Sequence, residues 1–266
     1  MNKKPSTDAG DAQHKLVDEC ALESTELRPF FSFYGGKWRD TPKHYPRPAH
    51  RTIVEPFAGS AGYSLRHAER RVILCEVDPV IAGVWEYLIQ VEPDEILGIP
   101  DVPQDGSVDD LDIPEAAKWL VGLWLKRGTS RPRKRPSKWM RDRIRPGSFW
   151  GERVRNTIAS QVEAIRHWEI HNCSYADCPY SDEATWFIDP PYQVAGKHYR
   201  FGPEELDFEA LAHWCQSRPG QVIVCENQGA DWLPFQQLAS TKTTRRKRRS
   251  KEVYWLNTFA NGAGAE

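Results

Sequence analysis

A carboxylate, two prolines and an aromatic ring follow one another at Asp189, Pro190, Pro191 and Tyr192, directly after an apolar run. Because proline fixes its backbone φ, the two prolines hold the Asp189 carboxylate and the Pro190 carbonyl in set directions. Both groups accept hydrogen bonds, and an amino group on a heteroaromatic ring offers two N–H donors. The Tyr192 ring adds a flat stacking surface. This Asp-Pro-Pro-Tyr box (residues 189–192) predicts a site that binds a flat aromatic amine.

Two earlier segments predict a nucleoside-like ligand nearby. Residues 55–64 form a Gly-rich turn in which Gly59 and Gly62 permit a tight bend and close approach of a ligand to the backbone. Glu55 begins this turn and is placed to accept hydrogen bonds from a cationic group. Glu76 follows about twenty residues later, where one carboxylate of a Rossmann-like sheet binds both ribose hydroxyls. No Gly-Lys-Ser/Thr follows the turn, which argues against a P-loop nucleotidase.

The elements that must position these residues are short apolar strands alternating with helices. Strands are predicted at 51–55, 72–76, 186–189 and 221–225, and each ends in polar or Gly/Pro-rich residues. Helices are predicted at 80–90, 114–127, 149–168 and 204–216. This alternation predicts an α/β fold, a mainly parallel Rossmann-like sheet with helices on both faces.

The interruption of this alternation predicts the domain organisation. Residues 91–169 contain helical patterns but no predicted strand, and are expected to form a small, mostly helical inserted region that contacts the substrate. Residues 29–90 and 170–266 would then form the catalytic domain. Residues 1–28 mix charges of both signs without an apolar stretch, so we expect a flexible leader and no export signal.

Charge is distributed in blocks rather than evenly along the 266 residues, although the net charge is only −1. Residues 126–145 hold ten basic side chains against one acid, and residues 242–251 hold seven basic side chains. Such stretches suit a phosphate backbone, because each neutralised phosphate releases counterions. A nucleic-acid partner is therefore favoured over merely solvated faces, which a single charge run more often forms.

The composition, 39% hydrophobic and 27% charged, is that of a globular protein and excludes collagen, a coiled coil and wholesale disorder. The mean hydropathy is −0.65, and no apolar run approaches the ~20 residues that span a bilayer, so no membrane association is expected. Six cysteines are too few for a disulfide framework in a chain of this length. We therefore expect free thiols and a cytoplasmic location.

In the order of its motifs, the chain resembles the Dam-type family of S-adenosylmethionine-dependent DNA adenine N6-methyltransferases. That family begins with an aromatic-x-Gly-Gly-Lys element, matched by residues 33–37, and continues with Glu-Pro-Phe-x-Gly, matched by residues 55–59. An acid matched by Glu76, an inserted target-recognition region and the Asp-Pro-Pro-Tyr box follow. Tyr199 and residues 246–257 are similar to later elements of the family. Glu76 and Phe33 stand where many members have Asp and Trp, and the insertion is unusually short and basic.

The resemblance implies a role for each matched residue. Phe33 and Lys37 would border the cofactor pocket, residues 55–59 the methionine moiety, and Glu76 the ribose. The residues implied to bind S-adenosyl-L-methionine are Phe33, Lys37, Glu55, Pro56, Phe57, Gly59, Glu76, Val77 and Asp189. The implied catalytic residues are Asp189, Pro190, Pro191 and Tyr192. Contacts to double-stranded DNA, with the target adenine flipped out, are expected from Arg133, Lys134, Arg135, Lys138, Arg141, Arg143 and Tyr199.

Several alternatives stay open at this stage. The exocyclic amine of cytosine presents the same two donors as that of adenine, so N4-cytosine methylation is the runner-up, together with adenine methylation of RNA. A non-catalytic DNA-binding relative is the alternative outside the enzyme class. Finally, His167, His171, Cys173 and Cys178 superficially suggest zinc, but the second Cys pair that most structural sites use is missing, so no metal is predicted.

Overall fold

The computed structural model describes residues 26–126, 128–138, 141, 149–194, 199–238 and 252–257. Its strands are β1 (Thr52–Glu55), β2 (Arg71–Cys75), β3 (Glu169–His171), β4 (Ala184–Ile188), β5 (Gly220–Asn227), β6 (Gln236–Gln237) and β7 (Glu252–Leu256). They form one sheet in the order β3-β2-β1-β4-β5-β7-β6. Strands β1 to β5 pair in parallel, and β7 runs antiparallel to both of its neighbours.

The described helices are α1 (Thr41–His44), α2 (Pro79–Gln90), α3 (Pro93–Gly98), α4 (Glu115–Trp124), α5 (Glu152–Ala159) and α6 (Phe208–Gln216). Short 3-10 helices lie at Ser64–Arg66, Val108–Asp110, Val162–Ile165, Tyr175–Asp177 and Pro203–Glu205. None of the helices in the described residues is long and apolar enough to cross a membrane.

The central strands are buried on both faces, which explains their continuous apolar sequences. All residues of β1 and β4 are buried, and α6 packs on one face of the sheet through Leu211. The other face is covered by a larger core that includes Trp85 of α2 and Leu120 of α4. The prediction of an α/β fold with a mostly parallel sheet and helices on both faces is thus confirmed.

Two predicted helices are interrupted for local reasons. The Asp207 side chain accepts hydrogen bonds from the backbone N–H groups of Glu209 and Ala210, both at 3.0 Å, so α6 begins there and the preceding turn is a separate 3-10 helix. The predicted helix 149–168 is α5 plus the 3-10 helix Val162–Ile165. Between them, the Gln161 side chain turns to accept the Arg28 backbone N–H at 2.6 Å.

The domain boundaries need two corrections. Leu27, placed in the predicted leader, is buried, donates its N–H to the Leu65 carbonyl at 3.0 Å and accepts from the Trp38 indole at 2.6 Å. Residues 26–28 therefore belong to the fold, whereas 1–25 lie outside the described residues. Glu169, placed in the insertion, already belongs to β3, a strand the sequence pattern missed. The described helices of the insertion share the core of the sheet rather than building one of their own.

Candidate active site

The strand order places the candidate site where the sheet topology reverses. Strand β1 lies between β2 and β4, so the connections leaving β1 and β4 diverge to opposite sides. Ligands of open α/β sheets bind in the crevice outside the carboxyl ends of strands at such a point. Glu55 ends β1, and Asp189 follows β4 directly. The two sequence motifs therefore meet there although they are far apart in the chain.

The Gly-rich turn is fixed by buried contacts. Gly59 adopts a φ of +45°, which favours glycine, and its carbonyl accepts the Trp85 indole N–H at 2.8 Å. Gly62 lies against the chain at Lys37 and Trp38, where a Cβ atom would come within 2.6 Å of the Trp38 backbone nitrogen. The two glycine motifs at 33–37 and 55–62 thus pack backbone against backbone.

A cavity of about 390 Å³, here called the first cavity, opens beside these turns. All nine residues that the resemblance assigns to the cofactor line it: Phe33, Lys37, Glu55, Pro56, Phe57, Gly59, Glu76, Val77 and Asp189. Sequence reasoning missed Tyr175, which lines the cavity and stacks on Phe57 with ring centroids 5.5 Å apart, and also missed the lining residues Phe201 and Leu206. These three lie outside any motif, so only the folded chain brings them to the site.

Two carboxyl groups, the buried Glu55 and the half-buried Glu76, hold the turn together and line the same cavity. Glu76 accepts the backbone N–H of Gly59 at 2.9 Å and that of Asp78 at 3.0 Å, and burial raises its pKa to about 7. Glu55 accepts the Ser64 N–H at 2.7 Å, and burial raises its pKa to about 8. Desolvation disfavours the charged form of each acid, and the N–H donors offset this only in part.

A buried ion pair closes one end of the first cavity. The Lys37 ammonium lies 2.8 Å and 2.9 Å from the two carboxylate oxygens of Asp189, and it donates to the Gly35 carbonyl at 2.9 Å. Burial by itself would lower the pKa of Lys37, but the carboxylates of Asp189 and Glu252 outweigh it and raise the pKa above its usual range. No sequence pattern indicates this pairing, because the two residues are 152 positions apart in the chain.

The remaining residues of the Asp-Pro-Pro-Tyr box divide between the cavity and the core. Pro191 lines the first cavity, whereas Pro190 is buried. The Lys37 ammonium lies 4.9 Å from the centre of the Tyr192 ring, and the Tyr192 hydroxyl is buried. Burial raises the pKa of this hydroxyl well above its usual range. Tyr192 therefore packs against the ion pair, and the structure does not place it among the residues that line the cavity.

Glu226, which the sequence analysis missed, anchors the loop that follows the box. This fully buried carboxylate at the end of β5 accepts the Gln193 backbone N–H at 3.1 Å, the Trp232 indole N–H at 3.1 Å and the Asn227 N–H at 2.8 Å. Burial raises the pKa of Glu226. The signal available in the sequence was the position of Glu226, an acid that directly follows the apolar run Val222 to Cys225.

The predicted DNA contacts are scattered. Tyr199 lines the first cavity and donates to the Tyr34 carbonyl at 3.2 Å. Arg133, Arg135 and Lys138 are exposed and do not line it. Lys134 is also exposed, but its ammonium pairs with Asp109 at 2.8 Å. The Arg141 carbonyl accepts from Gln104, while Arg143 and residues 242–251 lie outside the described residues.

The residues of the zinc alternative have other contacts. A ring nitrogen of His167 lies 3.0 Å from the Arg70 carbonyl, and one of His171 lies 3.9 Å from the Glu169 carboxylate. Cys173 and Cys178 are free, half-buried thiols. Within the described ranges, no group of three or more His, Cys, Asp or Glu side chains is arranged to hold a metal ion.

Comparisons with known proteins identify no family for this chain. No family model matches the chain, and no curated protein matches it. A solved structure of a conserved hypothetical protein from Streptococcus pyogenes is similar over 77% of this chain and 85% of its own. Its sequence identity is 10% and its TM-score 0.33, so this likeness identifies neither a family nor a function.

Proposed function

We propose that the protein transfers a methyl group from S-adenosylmethionine to the N6 amino group of adenine in DNA. One observation carries the proposal. The separate sequence segments that resemble the cofactor elements of Dam-type enzymes converge on a single cavity at the reversal point of the sheet, with Asp189 at its end. Residues matched by chance would not be expected to converge in this way.

The first cavity fits the proposed cofactor in size and chemistry. Its volume of about 390 Å³ is within the range of small-molecule sites, roughly 300–1,000 Å³. Glu76 would accept hydrogen bonds from the ribose hydroxyls, and Glu55 would receive the ammonium group of the methionine moiety. Phe33, Phe57 and Val77 supply apolar surface. When bound, the cofactor supplies an electrophilic methyl group on a sulfonium.

Asp189 would act on the amino group that accepts the methyl group. An aromatic amine is a poor nucleophile because its lone pair is delocalised into the ring. Hydrogen bonds from the amine to the Asp189 carboxylate would localise that lone pair, and Asp189 would help to remove the proton. The Pro190 carbonyl, the second acceptor expected from the sequence, is given no role, because Pro190 is buried and does not line the first cavity. A carboxylate has about four acceptor sites, and Lys37 donates one hydrogen bond, to Oδ2. Oδ1 accepts no hydrogen bond from the described residues, which leaves acceptor capacity for an amine donor.

Lys37 and Glu226 would position the acceptor group rather than react. The Lys37 ammonium donates a hydrogen bond to Oδ2 of Asp189, and Glu226 holds the backbone just after Tyr192. Orientation of this kind supplies ~7–11 kcal/mol in well-aligned reactions. Because adenine N6 is inside the duplex stack, the target nucleotide would have to swing out, at a cost of about a few kcal/mol.

The experiment that tests this function is direct identification of the product. Duplex DNA of mixed sequence, and a matched RNA, are incubated with the protein and S-adenosylmethionine, digested to nucleosides and analysed by mass spectrometry. We expect N6-methyldeoxyadenosine from the DNA. N4-methyldeoxycytidine or methylated adenosine from RNA would identify one of the alternative substrates instead. The absence of any methylated nucleoside, with cofactor bound, would identify a non-catalytic relative.

A further inference from the structure

A second cavity of about 760 Å³ lies against the first, separated from it by the segment that carries Phe33, Gly35 and Gly36. These three residues and Ser60 line both cavities. Glu252 also lines the second cavity, and one of its oxygens lies 3.8 Å from the Lys37 ammonium. A ligand in the second cavity is thus one side chain away from the Lys37–Asp189 pair.

The second cavity is rimmed by three exposed arginines, Arg28, Arg39 and Arg153. Within the described part of the chain, none of the three forms an ion pair with an acid. Two acids line the same cavity, Asp40 and Glu252, but Glu252 is engaged by Lys37 and by the Tyr45 hydroxyl at 3.0 Å. The rim therefore offers three guanidinium groups to an anionic ligand.

Two tryptophans complete the lining. Trp38 donates its indole N–H to the Leu27 carbonyl at 2.6 Å, and Trp124 donates its own to the Phe30 carbonyl at 2.9 Å. Both N–H groups are occupied, and the Arg66 guanidinium covers one face of Trp38, 3.6 Å from the ring centre. The contribution of the two side chains to the cavity lining is therefore mainly apolar. Two tryptophans and three arginines that line one cavity suit a ligand that combines phosphates with flat apolar groups.

We propose that double-stranded DNA lies over this second cavity, with Arg28, Arg39 and Arg153 bound to phosphates next to the nucleotide whose base reaches Asp189. The inference rests on the proposed function for the identity of the reacting base. Phosphate contacts fix the register of a protein on DNA without reading sequence. An enzyme that swings a nucleotide out of the duplex must meet an unstacking cost, which contacts to the neighbouring phosphates can offset.

The assignment changes the expected role of the basic loop. Arg133, Lys134 and Arg135 line neither cavity, and Asp109 already pairs with Lys134. The two sets of three cations allow a matched comparison, because replacing either set with alanine removes the same charge. All six side chains are exposed, so neither replacement empties the core.

The test is the salt dependence of duplex binding, measured by fluorescence anisotropy with a labelled mixed-sequence duplex. In the Arg28/Arg39/Arg153→Ala variant, we expect the slope of log affinity against log salt to shrink by about 2 to 3, since each phosphate contact contributes roughly 0.9. In the Arg133/Lys134/Arg135→Ala variant, we expect a change below about 1. The Arg28/Arg39/Arg153→Lys variant, which keeps the charge, should retain most of the wild-type slope.

An unaltered slope in the cavity variant, or a larger change in the loop variant, would overturn the proposal, as would wild-type protein that binds no duplex. Methyl transfer measured on the same samples separates this result from the proposed function. Wild-type protein that binds DNA through these arginines but transfers no methyl group refutes only the proposed function. Methyl transfer that persists while the cavity variant keeps the wild-type slope refutes only the inference drawn here.

Discussion

The two cavities share a wall but are built differently. The first is lined by residues that follow β1, β2 and β4, and its acids are held by backbone N–H donors from the adjoining turns. The second is lined by Arg28, Arg39 and Arg153, which come from an irregular segment, a turn and α5. Its arginines are exposed and make no ion pair within the described residues. The first cavity is built around motifs at strand ends, whereas the arginines of the second belong to no motif and meet only through packing.

This difference predicts different consequences of mutation. Changes in the first cavity should alter the chemistry or the binding of one small molecule, and some should also cost stability. Changes at the rim of the second should alter a salt-dependent affinity and leave the fold intact. A rim variant that weakens cofactor binding, or a first-cavity variant that changes the salt dependence of DNA binding, would contradict this division.

The largest effect is expected from Asp189→Ala. General acid–base groups contribute about 10²- to 10⁴-fold to rate, so methyl transfer should fall by that order. From its position at a strand end, Asp189 is expected to be removable without harm to folding. The structure predicts otherwise, because the variant leaves the buried Lys37 ammonium without its nearest anion, at a cost of about 3 kcal/mol of stability. Rates of methyl transfer and chemical denaturation measure the two losses.

The double variant Lys37→Met/Asp189→Ala is the control for the ion pair. Removing both charges should recover stability relative to Asp189→Ala, without recovering methyl transfer. If Asp189→Ala is as stable as the wild type, the ion pair between Lys37 and Asp189 does not contribute to folding stability, which contradicts this prediction.

Glu76→Ala is expected to weaken S-adenosylmethionine binding by about 1–3 kcal/mol, the range for loss of a charged acceptor. The variant also removes the acceptor for the Gly59 N–H. Glu76→Gln, which retains one acceptor oxygen, should show a smaller loss. Duplex binding should not change in either variant. Calorimetric titration with cofactor checks the prediction, and wild-type affinity in both variants would mean that the ribose lies elsewhere.

Glu226→Ala is expected to slow methyl transfer by about tenfold while leaving cofactor affinity unchanged, because it releases the Gln193 N–H and the loop behind Asp189. Glu226→Gln keeps an acceptor and should restore much of the rate. The separation of kcat from the KM for cofactor distinguishes positioning from general destabilisation. Equal losses in kcat and in cofactor binding would contradict a positioning role.

The last prediction concerns the pH dependence of stability rather than catalysis or binding. The pKa of Glu55 is about 8 in the fold and near 4.5 when unfolded, so between these values the folded state keeps a proton that the unfolded state has lost. Stability should therefore fall as pH rises from about 4.5 to 8, by up to ~1.4 kcal/mol per pH unit. Glu55→Gln should make this slope shallower, while Glu76, whose pKa burial raises to about 7, retains its own contribution. Thermal melting across this pH range provides the measurement.

Sequence reasoning succeeded where a motif follows directly on a strand. The ends of β1, β2 and β4 meet at one edge of the sheet. The sequence alone therefore predicts one site for Glu55, Glu76 and Asp189, and all three line the first cavity. Their local sequence fixes which atoms face the edge. Charge runs were less informative, since composition does not say that Lys134 pairs with Asp109.

What could not be predicted depends on contacts between distant segments. The Lys37–Asp189 pair joins residues that no periodicity relates, and β3 is three residues long with half-buried side chains, too short for a strand pattern. The second cavity shows the same limit, because Arg28 and Arg153 line it from segments far apart in the chain, and Gln161 binds the backbone at Arg28.

Calorimetric titration of S-adenosylmethionine into three proteins tests the central claim most directly: the wild type, Glu76→Ala and the Arg28/Arg39/Arg153→Ala variant. We predict saturable one-to-one binding to the wild type, weaker binding to Glu76→Ala and wild-type affinity in the arginine variant. A wild type that shows no saturable binding would contradict the assignment of the first cavity to this cofactor. Equal weakening in both variants would contradict the division of roles between the two cavities.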